Sequence, residues 1–212
     1  MITILGKSAG TLSMIADNFE SYSKFEMICV INNLGIVDDF PYKNSYKWTE
    51  DDSLKEHYNN FLLGTTYPIT KKKIFDTFKQ PVNDFINCIH KSAEISSTAD
   101  LGKGIIINSL VSVAGHSKIG NFVTVNRNAS IGHHCDIEEF VTIAPSAVIC
   151  GKVRIGKGTF IGAGAIIRDG ITIGENCTIG IGSVIVKDIA DNIIGYGNPF
   201  QVSKQLNSSI NS

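Results

Sequence analysis

The sequence predicts an α/β unit of half-Rossmann type followed by an all-β left-handed parallel β-helix. Three observations carry that prediction. An aliphatic residue returns at every sixth position from Ile89 to Ile185 without a miss, through Ile95, Leu101, Ile107, Val113, Ile119 and onward. A small or β-branched residue sits four places further into most hexads, as at Ala93, Ala99, Val111, Ser117, Val123, Ala129, Cys135, Val141, Ala147, Thr159, Ala165 and Ser183. Ahead of that stretch, short apolar runs alternate with helical patterning, the first run closed by Gly6-Lys7-Ser8-Ala9-Gly10.

A period of six matches neither the 3.6 of a helix nor the 2 of a simple strand. It matches a coil of three hexads in which the aliphatic and the small residue both point into a narrow triangular core. Gly often follows the aliphatic, as at Gly120, Gly132, Gly156, Gly162, Gly174 and Gly180, and is expected to ease the corner backbone. A left-handed crossover departs from the usual right-handed rule, so the fold rests on the repeat rather than on general topology. No hexad is interrupted, which predicts a prism that throws out no long loop.

The bulk numbers exclude some partners. A net charge of -1 over 212 residues gives no footprint for nucleic acid or an anionic membrane. No apolar run has membrane-spanning length, and MITILGKSAG reads as a first strand and turn rather than a signal peptide. Five cysteines, Cys29, Cys88, Cys135, Cys150 and Cys177, are scattered without CxxC spacing, which fits a reducing cytoplasm.

The predicted domains are 1–84, 85–190 and a tail, 191–212. In the first, Ile2 to Leu5 is a strand, and Leu12, Ile15, Ala16 and Phe19 recur at helical spacing. Met27 to Ile31 and Phe61 to Leu63 are further strands, while residues 38 to 58 show no strong period. Pro68 starts a second helix whose apolar face is Ile74, Phe75 and Phe78. Strand–helix–strand–strand–helix is a half-Rossmann arrangement, and its first turn meets a helix N-terminus, a ready anion site. Alone, the Gly6–Gly10 turn reads as a tight connection without a ligand, because it is not GxGxxG and Asn32 stands where a ribose-binding acid would. Past Asp191, Ile193 to Phe200 leads into a polar end expected to fray.

Positions 18 apart stack on one face of such a prism. His116 should lie beside His134, Asn108 beside Asn126, and His133 between Gly115 and Gly151. Asn126, His133 and His134 then share one level. His133 fits a general base, and the Gly151 N–H fits a donor to a developing oxyanion. His116 reads as a polar corner residue. Zinc on His116, His133 and His134 is a weaker alternative, because the spacing fixes no carboxylate nearby.

These residues resemble the left-handed β-helix acyltransferases of the sialic acid O-acetyltransferase and bacillosamine-pathway N-acetyltransferase group. The resemblance covers nearly the whole chain. It runs through the opening strand, Gly turn and helix, and through Gly64 ahead of Lys71-Lys72-Lys73. It continues in Ile89-His90-Lys91-Ser92-Ala93, in Asn126 with Ile131-Gly132-His133-His134-Cys135, and in Gly197-Asn198-Pro199. It implies a homotrimer using acetyl-CoA as cosubstrate, bound between neighbouring prisms, with no metal. It also implies a nucleotide-linked amino sugar held partly by Gly6, Lys7, Ser8, Gly10 and Asn32. His133 takes the place of the catalytic histidine, Asn126 that of the family asparagine, and Gly151 that of the amide facing the thioester. The chain departs from the pattern where His134 replaces an acid, Thr142 replaces a second histidine near the thioester, and the first turn lacks a histidine.

The implied activity is acetyl transfer to the amine of a UDP-, dTDP- or GDP-linked amino sugar for surface glycans. O-acetylation of a sialic-type sugar, a γ-carbonic-anhydrase-like zinc protein and a non-catalytic trimeric scaffold are the alternatives. CoA is expected near the C-terminal coils, where Lys152, Arg154, Lys157, Arg168 and Lys187 supply charge and Gly162 and Gly180 leave backbone open.

Overall fold

The structure is a computed structural model that describes residues 2–6, 8–20, 28–31, 46–49 and 60–206. The N-terminal unit contains β1 (Ile2–Leu5), α1 (Ala9–Glu20), β2 (Ile28–Ile31), β3 (Tyr46–Thr49), β4 (Phe61–Leu63) and α2 (Pro68–Phe78). Its strands form one parallel sheet in the order β3-β2-β1-β4. The short strands are apolar because a parallel sheet is covered on its faces, and Ile4, Leu5, Leu62 and Leu63 are all buried. Strand β3 falls where the sequence shows no strong period. Tyr46, Trp48 and Thr49 favour strands, but four residues inside a polar stretch give too little alternation to read. Pro68 stands at the first helical position of α2, as expected, and Ile74 and Phe78 are buried.

From β5 (Cys88–Ile89) to β21 (Val184–Ile185), two-residue strands begin at every sixth residue with no insertion. Every one of them as far as Ile166–Ile167 pairs in parallel with the strand 18 residues on, as in Thr124↔Thr142, Ser130↔Val148 and Asp136↔Arg154. The strands form three faces of the left-handed prism. Cys88, Ile106, Thr124, Thr142, Phe160 and Thr178 begin the strands of the first face. Glu94, Ser112, Ser130, Val148, Ile166 and Val184 begin those of the second, and Asp100, Lys118, Asp136, Arg154 and Thr172 those of the third. The aliphatic series from Ile107 to Ile185 and the small residues Ala129, Cys135, Ala147 and Ala165 fill a single core.

The corners correct one expectation. A left-handed residue recurs at every sixth position from Gly104 to Gly182, but most are not glycine: Leu110, His116, Phe122, Asn128, His134 and Phe140 among them. The glycines after the aliphatic serve packing instead. A Cβ on Gly132 would meet the Cys150 carbonyl carbon at 2.6 Å, because the next coil's backbone lies directly against it.

The N-terminal unit docks on the first face. Asn18 Nδ2 of α1 donates to the Ile107 carbonyl at 3.1 Å. The rings of Phe75, Phe85, Phe122 and Phe140 pack together, with Phe75 and Phe122 at 4.8 Å between centroids. Lys71 is 1 % exposed, and its Nζ donates to the carbonyls of Phe122 at 2.8 Å and Val141 at 3.0 Å. Burial holds this ammonium well below the ordinary lysine range. Replacing Lys71 by Met strips two carbonyls of a donor and is expected to cost about 1–3 kcal/mol. The folded state holds the proton more weakly than the unfolded chain, so the stability of the native protein rises with pH toward the unfolded lysine value. Its advantage over the Met variant should therefore widen on the alkaline side, which urea melts at neutral and alkaline pH would measure.

The C-terminal end also differs from expectation. Strand β22 (Ile193–Tyr196) extends the first face, and β23 (Gln201–Gln205) returns antiparallel to it, so the segment after Phe200 is ordered strand as far as Gln205. Every residue of β23 is exposed. Backbone pairing holds it, and such pairing leaves no apolar pattern in the sequence.

Candidate active site

His133 and His134 stand in the corner between the second and third faces, both exposed. His134 is the left-handed residue of that corner, at φ 56. Its kink brings adjacent side chains together, and the Nδ1 atoms of His133 and His134 lie 3.1 Å apart with the rings at 85°. His116 packs on His134 at 4.9 Å between centroids, so the stack expected from the 18-residue spacing is present. Gly151 lies beneath His133, where a Cβ would come within 2.7 Å of His133 Nε2. One edge of the base candidate is therefore bonded to His134, and the other lies over a backbone with no side chain.

The Gly151 amide is not open to a ligand as expected. It donates to Asp169 Oδ1 at 2.6 Å. Corner amides elsewhere find similar partners one coil away, as Lys103 N does in Asn121 Oδ1 at 2.9 Å. An unpaired N–H at a tight corner is costly, so side chains on neighbouring coils supply acceptors. Asp169 is absent from the site expected on sequence, although the series 133, 151, 169, 187 places it in the column of His133.

Asn126 occupies the corner between the first and second faces, so one protomer does not bring it to His133. Its Oδ1 accepts from Asn108 Nδ2 at 3.4 Å and from Arg127 N at 3.0 Å, and the expected asparagine stack exists. Thr142 does not lie beside His133 within one chain. It is buried on the first face, opposite the His133 corner, and its hydroxyl donates to the Thr66 carbonyl.

Gly162 and Gly180 fall in the Asn126 column. Neither leaves backbone open: a Cβ on Gly162 would meet the Gly180 carbonyl carbon at 2.6 Å, and one on Gly180 would meet Tyr196 Cβ at 2.5 Å. Arg154 is shared between Asp136 at 3.6 Å and Glu138 at 3.7 Å, and Lys157 pairs with Glu139 at 2.8 Å, so these charges belong to the third face and the edge beyond it. Arg168, Lys187 and Lys152 are exposed along the His133 corner.

In the N-terminal unit, Gly6 is buried at φ 77 at the end of β1, and the Ser8 carbonyl accepts the first bond of α1 from Leu12 N at 2.9 Å. Gly10 is exposed, and a Cβ added there would meet nothing within 4 Å. This is a helix N-terminus at the C-terminal end of a parallel strand. Lys7 and Asn32 lie outside the described residues. A charged groove of about 460 Å³ runs along the third face past Lys118, Asp136 and Glu139, away from the histidines. Among the described residues no group of three or more His, Cys, Asp or Glu is arranged to hold a metal ion.

The bacterial transferase hexapeptide family (six repeats) matches residues 152–187. No curated protein matches the chain in sequence. That match covers the C-terminal coils of the prism, and the fold as a whole is shared with several solved N-acetyltransferases. Perosamine N-acetyltransferase from Caulobacter crescentus, with a histidine changed to asparagine and with CoA and GDP-perosamine bound, superposes with a TM-score of 0.84 at 21% identity over 96% of both chains. The acetyltransferase domain of PglB from Neisseria gonorrhoeae, in complex with acetyl coenzyme A, gives 0.80 at 26% identity, covering 94% of this chain and 98% of that one. WeeI from Acinetobacter baumannii gives 0.77 at 20% identity, covering 95% and 99%.

Proposed function

We propose that the chain is an acetyl-CoA-dependent N-acetyltransferase acting on the amine of a nucleotide-linked amino sugar, in the cytoplasm and for surface glycan synthesis. The observation that carries this reading is the His133 imidazole, braced at Nδ1 by His134 and set over Gly151, on a scaffold shared with sugar N-acetyltransferases. The sugar amine attacks the thioester carbonyl carbon, a C–N bond forms, and His133 Nε2 takes the amine proton. The tetrahedral intermediate collapses with loss of the CoA sulfur, which takes a proton in turn. If the Gly151 N–H steadies the oxyanion, Asp169 must first release it.

A homotrimer completes the site in this reading. The N-terminal unit sits on the first face and Asn126 at its edge, while His133 stands at the opposite corner. Three-fold packing sets the His133 corner of one prism against the Asn126 corner of the next, covering Val148, Ile166 and Ile181, which are 38%, 44% and 79% exposed. Light scattering at micromolar concentration should give a trimer; a monomer would remove the shared groove.

Acetyl-CoA lies along the same corner, toward the C-terminal coils. Arg168 and Lys187 reach its phosphates, and reversing both charges should raise the KM for acetyl-CoA about tenfold or more with little change in kcat. An unchanged KM would place the cofactor elsewhere. The sugar nucleotide's phosphates meet the amides of the Gly6–Gly10 turn and the α1 N-terminus. Gly10→Trp is the clean test, because Gly10 has open space whereas Gly6 needs its positive φ. Calorimetry should show weaker sugar-nucleotide binding with acetyl-CoA binding intact; equal affinity would rule the turn out.

A further inference from the structure

Two imidazoles that share one hydrogen cannot choose their tautomers independently. His133 Nδ1 and His134 Nδ1 are 3.1 Å apart, so one donates and the other accepts. When His133 donates, its lone pair lies on Nε2, over Gly151, and neutral His134 carries its own hydrogen on Nε2. A proton arriving at His133 Nε2 changes both rings. The bridging hydrogen can move to His134 Nδ1, leaving His133 neutral with N–H at Nε2 and placing the positive charge on His134.

We propose that His134 is a positioning residue that sets the tautomer of His133 and holds the charge of the transferred proton. This rests on His133 being the base. During turnover the substrate amine gives its proton to His133 Nε2, and the bridging hydrogen shifts to His134. When the C–S bond breaks, His133 Nε2–H protonates the leaving thiolate and the bridging hydrogen returns, so no proton is gained or lost by the pair. In acid the same shift is driven by solvent, and the first proton taken up by the pair removes the Nε2 lone pair. A carboxylate at position 134 would hold His133 Nδ1–H by charge; an imidazole holds it only while neutral. The groups facing the pair are the His116 ring on His134, Lys152 one coil on, and Asp169 at the Gly151 amide.

Long-range proton–nitrogen NMR of the whole, histidine-labelled protein reads the tautomers directly. In alkaline solution His133 should carry hydrogen on Nδ1. On acidification the first step should put hydrogen on His133 Nε2, strip its Nδ1, and doubly protonate His134. In His134→Gln an amide oxygen accepts at every pH, so His133 should become doubly protonated in its own step. His133 found as the Nε2–H tautomer in alkaline solution, or retaining Nδ1–H while His134 titrates, would overturn the proposal. Activity gives an independent arm. His134→Phe, which has no acceptor, should lose about tenfold or more in kcat/KM, with Gln and Glu restoring it to within a few fold. Equal rates in Phe and Gln variants would also overturn it. A fully active His133→Ala would instead refute the base assignment, whatever the tautomers.

Discussion

Replacing His133 by alanine is expected to lower kcat/KM on the order of 10²-fold or more. The amine must lose a proton as the C–N bond forms, and His133 Nε2 is the group placed to take it. The ring is exposed and makes no core contact, so the loss should come without a change in melting temperature. His134→Ala should cost less, because it removes a partner of the base rather than the base. His134→Glu should be tolerated. Kinetics for the three variants from acid to alkaline pH check this. If His134→Ala were inactive while His133→Ala kept near-full activity, the base would be His134.

The second large effect is expected at Gly151. A methyl group there would sit 2.7 Å from His133 Nε2 and 2.8 Å from Cε1, closer than any such contact can remain. The ring is the mobile partner, so it must swing off the backbone. Gly151 does not have a positive φ, so alanine suits its backbone and the coil should survive. The amide to Asp169 is untouched by the change. Displacing a reacting group by about 1 Å can cost on the order of 10²-fold, and Gly151→Ala should approach that loss in kcat while acetyl-CoA still binds. Full activity in this variant would mean that the position of the His133 ring over Gly151 does not matter.

Much of this geometry is legible in the sequence because a strict repeat turns residue number into height and face. The stacks of His116 on His134 and of Asn108 on Asn126, and the seat of His133 over Gly151, all follow from a spacing of 18. The same arithmetic assigns Thr142 to the first face and Asp169 to the His133 column. The spacing cannot show where a corner side chain turns, since that depends on which residue takes the left-handed conformation. That is why two adjacent histidines meet at their Nδ1 atoms, contrary to what a sharp corner suggests. It also cannot separate a glycine needed for its φ from one needed for close packing, so it lends Gly162 and Gly180 an openness that the next coil fills. Strands β3 and β23 carry too little apolar alternation to announce themselves.

The most direct test is to incubate the protein with acetyl-CoA and each of a panel of UDP-, dTDP- and GDP-linked amino sugars, following free CoA thiol and the mass of the sugar nucleotide together. At least one sugar nucleotide should gain an acetyl group on its amine, with one CoA released per product and none released when the amine is absent. Release of CoA without acetylated sugar, or an acetyl group found on a hydroxyl while the amine stays free, would contradict this.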